Sequence, residues 1–189
     1  MIIVDELKEG FNIMLHPKSA TQKKRKIGEA LLFYYKISII PLLLYIILSL
    51  VMLIYVAGLS AVGMFFFGML AMYGILMFVV IIPIFIFVIA FIFHIFGKLF
   101  EVFNNPYSNT FTATVYGALP TILFYWLNLV PLGSWVLKIF DIWAFIITIF
   151  ALVNQQKTSA LKVFEVIIGT AIIIGIVVTA LFSLGVFSG

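Results

Sequence analysis

The sequence has no cysteine, only two histidines, His16 and His94, and few charged residues. The lack of cysteine excludes disulfides, iron–sulfur clusters and thiolate metal sites, and two histidines are too few for a multi-histidine metal centre. Charged residues form 10% of the chain, whereas they form about 25% of an ordinary soluble domain. A water-soluble globule of this size could not cover its surface with so little charge.

Known enzyme signatures are also missing. The sequence contains no H-E-x-x-H metal pair, no G-x-S-x-G nucleophile turn, no G-x-x-x-x-G-K-[ST] phosphate loop and no cluster of carboxylates within an apolar run. We therefore predict no catalytic, cofactor-binding or metal-binding residues and no enzymatic activity. The net charge of +4 is explained by basic loops and does not require a nucleic-acid partner.

Apolar residues are abundant instead, at 65% of the 189 residues. A helix needs about 20 apolar residues to cross a hydrocarbon core roughly 30 Å thick, so the chain has room for about five or six spans. The sequence therefore predicts an all-α integral membrane bundle. Polar or turn-forming stretches divide it into five apolar runs, at residues 37–56, 64–100, 112–130, 135–153 and 160–187.

The second apolar run is long for one span, and the positions of lysine and arginine decide how often it crosses. A single crossing places ten basic residues on one side and only Lys138 on the other, whereas two crossings give eight against three. Because basic residues concentrate in cytoplasmic loops, five spans with a cytoplasmic N-terminus and an external C-terminus are predicted. Residues 64–73 are expected to form an interfacial or re-entrant lead-in to a helix kinked at Pro83.

Residues 1–36 are predicted to form a cytoplasmic segment in front of a transmembrane domain at residues 37–189. Apolar side chains at helical spacing predict an amphipathic helix in the headgroup plane, and Pro17 ends it. These side chains are Ile3, Leu7, Phe11 and Met14. The basic cluster that follows is expected in water or against anionic lipid headgroups. Its members are Lys23, Lys24, Arg25 and Lys26.

Four polar residues within the apolar runs are candidates for function: Asp141, Lys138, Asn128 and His94. An ionisable side chain at the centre of a bilayer costs about 2.5 kcal/mol or more. Lys138 lies three residues before Asp141 and can neutralise it, with Asn128 as a hydrogen-bond partner across the hairpin. A structural ion pair and a functional site both remain open.

His94 is expected near Lys98 and Glu101 at the cytoplasmic end of the second span, as an interfacial anchor or part of a proton relay. The five-span topology places it toward the opposite leaflet from Asp141. The two residues are therefore not expected to share a site.

Small residues recur every four positions in the last span, at Ala171, Gly175, Thr179 and Ser183, and in the third span, at Ala113 and Gly117. This spacing lets helix backbones approach closely in lipid. Packing within the chain and a homodimer interface are both open.

Several short motifs in their order along the chain resemble the YIP family, membrane proteins named for interacting with Ypt/Rab GTPases. The resemblance rests on the proline at Pro17, on Tyr116 and Pro120 of Tyr116-Gly-Ala-Leu-Pro120, on Trp143, and on Ser159-Ala-Leu ahead of a last span that bears Gly169 and Gly175. It covers most of the chain from about residue 11.

The resemblance implies a five-helix bundle with a cytoplasmic N-terminus, in agreement with the distribution of basic residues. For eukaryotic relatives it implies a role in vesicle traffic through Rab GTPases and partner YIP proteins. Here only residues 1–36 precede the first span and Asn104-Asn-Pro-Tyr-Ser108 replaces a Gly-rich turn, so Rab binding is not expected. The chain resembles a minimal prokaryotic-type member, which implies the plasma membrane; a eukaryotic member would occupy Golgi or ER-type membranes.

Two functions follow as hypotheses. The first is a non-enzymatic membrane protein that binds partners, or a second copy, or organises lipid. The second is a small transporter or channel that uses Asp141, Lys138, Asn128 and His94, with Pro83 as its hinge. A polar, water-accessible cavity reaching Asp141 would favour transport, and a sealed apolar bundle with an exposed stripe of small residues would favour assembly.

Overall fold

The computed structural model describes residues 2–57 and 60–183, and the regular elements in those ranges are all helical. In chain order they are α1 (Ile2–Leu15), α2 (Pro17–Ala20), α3 (Ile27–Ala57), α4 (Ala61–Leu76), a π-helical turn (Met77–Ile81), α5 (Ile82–Leu99), α6 (Tyr107–Phe124), a 3₁₀ turn (Tyr125–Leu129), α7 (Gly133–Gln156) and α8 (Ala160–Ser183).

Within the described ranges, three helical stretches are long and apolar enough to cross a membrane. They are Ile27–Val56, Ala61–Leu99 and Gly133–Gln156, and large apolar side chains along them are exposed. Exposed apolar surface along helices long enough to span a bilayer marks contact with lipid chains. The chain is therefore an integral membrane protein, as its composition predicts.

The second stretch is one continuous helix of 39 residues. The Ser60 side chain accepts a hydrogen bond from Gly63 N (3.1 Å) and caps its start. Residues 64–73 are regular helix, so the expected separate lead-in is not present. Pro83 lacks an N–H and crowds the preceding turn, and the π-helical turn just before it accommodates this strain.

Helix α6 lies at the centre of the bundle, where it packs against α3, α5 and α7. Thirteen of its 18 residues are buried. Gly117 faces α7 so closely that a Cβ at this position would overlap Thr148. Ala113 is also fully buried, so the small residues of this helix serve packing within the chain.

Helix α8 packs on α5 and α7 through Val163, Val166 and Thr170, which are buried. The small residues Ala171, Gly175 and Thr179 are exposed, and a Cβ on Gly175 would meet no atom within 4 Å. The side chain of Ser183 lies outside the described residues. This part of the stripe is left uncovered by the chain.

Helix α1, which we call the strap, crosses α3, α6 and α7. Ile13 and Met14 are buried, Gly10 approaches Ile37, and the indole N–H of Trp143 donates to the carbonyl of Met14 (3.0 Å). The face predicted to meet lipid therefore turns partly toward the bundle, with Leu7 half-buried and Phe11 exposed. The side chain of Ile3 lies outside the described residues.

Candidate functional site

Arg25 lies inside the bundle, with 8% of its surface exposed. Its Nη2 lies 2.7 Å from a carboxylate oxygen of Glu9 and 3.7 Å from one of Glu6. The guanidinium stacks over the ring of Phe33, 4.0 Å from the ring centre. Two carboxylates and an aromatic face together compensate the loss of water around a buried cation.

Arg25 also binds the central helix. Its Nε donates to the hydroxyl of Tyr116 (3.1 Å), which donates in turn to the carbonyl of Lys23 (2.9 Å). Thr112 Oγ1 donates to the carbonyl of Arg25 itself (3.0 Å). One side chain thus joins the strap, α3 and α6.

Each strap carboxylate has a second cationic partner. Lys36 on α3 lies 3.1 Å from Glu6, and Lys23 lies 2.9 Å from Glu9. These two lysines are more exposed than Arg25, so their pairs are screened by solvent and contribute less. We call the five residues the arginine latch: Glu6, Glu9, Lys23, Arg25 and Lys36.

The arginine latch corrects one prediction. The sequence predicts Arg25 on the membrane surface with its basic neighbours, but Arg25 is buried because Glu6 and Glu9 approach it from the strap. Lys23 forms an ion pair with Glu9. Lys24 and Lys26 are exposed and form none of the ion pairs found among the described residues.

A second network, the polar cap, joins the end of α7 to the loop before α3. The amide of Gln155 is fully buried and donates to the carbonyls of Thr21 (2.7 Å) and Lys23 (2.9 Å). The amide of Asn154 donates to Thr21 Oγ1 (2.7 Å) and to the carbonyl of Lys18 (2.9 Å).

The polar cap continues to the start of α6. The side-chain amides of Asn105 and Asn109 both donate to the backbone carbonyl of Gln155 (2.8 Å each). Gln156 accepts from the backbone N–H of Asn105 (3.0 Å) and donates to Thr110 Oγ1 (2.8 Å). Residues 16–26, 101–110 and 153–157 therefore meet at one end of the bundle.

His94 lies at the edge of the polar cap. Its Nδ1 is 2.9 Å from Thr110 Oγ1, and its ring meets Tyr107 edge to face. Lys98 and Glu101 are exposed, and Glu101 has a left-handed backbone (φ 56°) beyond the end of α5. The structure thus places His94 beside one hydroxyl and one aromatic ring.

Asp141 has a different partner from the one predicted. Its carboxylate accepts a hydrogen bond from Thr121 Oγ1 (2.9 Å). Lys138 instead lies over the ring of Trp135, with its ammonium 4.1 Å from the ring centre. Asn128 donates to the carbonyl of Tyr125 in its own 3₁₀ turn (3.1 Å).

His94 and Asp141 contact α6 at positions that are far apart along that helix. Their α6 partners, Thr110 and Thr121, are eleven residues apart, which corresponds to about 16 Å of helical rise. The two residues belong to different environments.

A groove of about 600 Å³ lies between α5, α6 and α7 and extends to Asp141. Its lining is apolar apart from a few side chains and includes Phe85, Ile89, Ala118 and Phe145. Among the described lining residues, Asp141 alone is charged. A cavity with this lining is unsuited to a hydrated ion path, so the geometry does not favour the transporter hypothesis.

Three of the positions that carry the family resemblance lie at contacts within the chain. Tyr116 binds Arg25, Trp143 binds the strap and Pro120 is buried inside α6. Gly175 lies on the exposed face of α8. Sequence reasoning missed the polar cap, although its signal is visible in the two runs of amide side chains at Asn104-Asn105 and Asn154-Gln155-Gln156.

Comparison with known families gives one match. Residues 11–182 match the family described as Yip1 domain. No curated protein and no solved structure matches the chain.

Proposed function

We propose that this chain, which belongs to the Yip1 domain family, is a non-enzymatic scaffold that binds partner proteins through its strap. The observation that carries the proposal is that polar side chains at one end of the bundle form hydrogen bonds and ion pairs within the chain. In the described part of the chain, Glu6 and Glu9 pair with basic side chains, and the amides of the polar cap bond to backbone groups and threonine hydroxyls. Polar groups bonded within the chain in this way stabilise the conformation of this end of the bundle and are not arranged to act on a substrate.

The topology is part of the same proposal. The chain crosses the membrane five times, with α3, α4–α5, α6, α7 and α8 as the spans and the N-terminus in the cytoplasm. The polar cap supports this, because it joins the loop before α3 to the loop after α5. Two crossings by the 39-residue helix would place these loops on opposite sides.

The outward side of the strap is the proposed contact for a partner. It combines exposed apolar side chains, Val4, Phe11 and Leu15, with the charges of Asp5 and Lys8. Opposite charges on one short surface give no net attraction to anionic lipid, whereas an apolar patch with charged groups at its rim matches the composition of a protein interface.

Site-specific crosslinking in native membranes tests this proposal. A photoreactive residue at Phe11 is expected to form adducts with another protein, and one at Met72, which is 71% exposed on α4, is expected to form adducts with lipid alone. Releasing the strap with Glu9→Gln should reduce the protein adduct, and Lys24→Gln, at an exposed position outside the proposed contact, serves as the control. Lipid adducts alone at Phe11 would contradict the proposal.

A further inference from the structure

The groove between α5, α6 and α7 is long and narrow. Its lining on α5 extends from Ile82 to Phe93, which corresponds to about 16 Å of helical rise. A volume of about 600 Å³ over that length gives a mean cross-section of roughly 40 Å². A helix with its side chains is about 10–12 Å across and does not fit inside, whereas an alkyl chain, whose carbons contact their neighbours at about 4 Å, does.

The groove suits hydrocarbon better than water and is open toward the surrounding lipid. Its apolar lining offers water few partners, since the hydroxyls of Thr114 and Thr148 donate to backbone carbonyls of their own helices (2.9 and 2.8 Å). Phe85 and Phe145 line the groove and are exposed. An alkyl chain dissolved in the bilayer can therefore enter between these two side chains.

Asp141 supplies the charge of the groove. Its Oδ1 accepts from Thr121 (2.9 Å), and among the described residues Oδ2 has no hydrogen-bond donor and the carboxylate has no ion-pair partner. Lys138 is not part of the lining, because its ammonium lies over Trp135. A carboxylate only accepts hydrogen bonds, so a polar group bound at Oδ2 must be a donor, and a positive donor also compensates the charge.

We propose that this groove binds a single-chain lipid whose one polar group is a primary ammonium, that is, a long-chain amine. The ammonium donates to Oδ2 of Asp141. The alkyl chain runs from there past Ala144 toward Phe93 and Ile167, which line the rest of the groove. The site holds one positive group and one chain and needs no anionic headgroup. It is independent of the partner-binding role of the strap.

The order of the lining residues agrees with this direction. On α7, Asp141 comes first in the lining, and Ala144 and Thr148 follow it toward the polar cap. Phe93 is next to His94, whose α6 partner Thr110 is eleven residues from the partner of Asp141, Thr121. The carboxylate therefore lies away from the Phe93 end, and apolar side chains line the space between them.

Photolabelling of the purified full-length chain in a neutral detergent tests this proposal. The probes are dodecylamine, dodecanol and dodecanoate, each with the same diazirine near the end of the alkyl chain. At neutral pH the amine is protonated and should label wild type about threefold to tenfold more than the alcohol, because its hydrogen bond to the carboxylate is charge-assisted. Dodecanoate should label least, since Asp141 repels it. Labels of the amine should map to the groove, at residues such as Phe93 and Ile167.

Variants locate the site, and the probe series on wild type does not depend on their folding. Asp141→Asn should bring labelling by the amine down to that by the alcohol, and Glu101→Gln, which removes an exposed acid from the loop after α5, should leave the ratio unchanged. Ala118→Trp, which fills the groove, should reduce groove labelling by the amine and the alcohol. Equal labelling of wild type by these two probes would overturn the proposal. A preference for the amine that persists in Asp141→Asn, or labels spread evenly to exposed positions such as Met72, would also overturn it.

Discussion

Arg25 and Tyr116 are 91 residues apart in the chain, and the Nε of the arginine donates to the tyrosine hydroxyl at 3.1 Å. Tyr116 lies on the most buried helix of the bundle, and Arg25 lies in the loop that connects the strap to α3. This bond fixes the N-terminal segment against the membrane domain.

Arg25→Gln should destabilise the protein by about 3–5 kcal/mol, because breaking a buried ion pair leaves carboxylates without their main partner. Thermal unfolding in detergent measures the effect, and limited proteolysis should show earlier cleavage near the strap. The neighbouring Lys24→Gln is the control and should change stability by no more than about 0.5 kcal/mol. Equal stability of the two variants would show that the arginine latch does not hold the strap.

Tyr116→Phe removes one hydroxyl that both accepts from Arg25 and donates to the carbonyl of Lys23. Loss of these buried hydrogen bonds should cost about 1–3 kcal/mol. Tyr55→Phe is the matched control because Tyr55 is 87% exposed. If Tyr116→Phe and Tyr55→Phe unfold at the same temperature, the hydroxyl of Tyr116 contributes nothing to stability.

Gln155→Met keeps the size of a fully buried side chain and removes its amide. The carbonyls of Thr21 and Lys23 then lose a donor, so hydrogen exchange should rise across residues 16–26 relative to wild type. Gln22→Ala, at an exposed position in the same loop, should leave exchange elsewhere in the loop unchanged. Unaltered protection in Gln155→Met would mean that the polar cap does not order this loop.

Gly117→Ala and Gly175→Leu test the two faces of small residues. Gly117→Ala places a Cβ against Thr148 and should lower the free energy of unfolding by about 1–3 kcal/mol through overpacking.

The side chain introduced by Gly175→Leu meets open space, so the stability of the protein should be retained. A smaller oligomer with Gly175→Leu, measured by crosslinking in membranes, would identify the α8 face as an interface between chains, and an unchanged size would place it against lipid.

Sequence alone predicts the apolar helices well, since their length and composition are set by the bilayer. The polar turn at Asn104 is likewise visible as a break in the pattern, whereas Asn154, Gln155 and Gln156, which the sequence also indicates as a break, form the last turn of α7. What the turns bind is not visible, because hydrogen bonds such as Asn109 to Gln155 depend on how distant helices pack.

The charged residues were harder to predict for the same reason. The local spacing of Lys138 and Asp141 indicates a pair within one helix, but Thr121 from the neighbouring helix and the ring of Trp135 compete for the two groups. Arg25 stands in a run of lysines that is typical of a solvated loop. Only the approach of Glu6 and Glu9 from the strap distinguishes it from them.

The natural absence of cysteine permits a direct test of the central claim, that the loops joined by the polar cap share the cytoplasmic side. Single cysteines are introduced at exposed positions as Lys24→Cys, Asn104→Cys, Lys157→Cys and Ser134→Cys, and oriented vesicles are treated with a membrane-impermeant thiol reagent. We predict that the first three cysteines react from the cytoplasmic side and that Ser134→Cys reacts only from the opposite side. Reaction of Asn104→Cys from the same side as Ser134→Cys would contradict it.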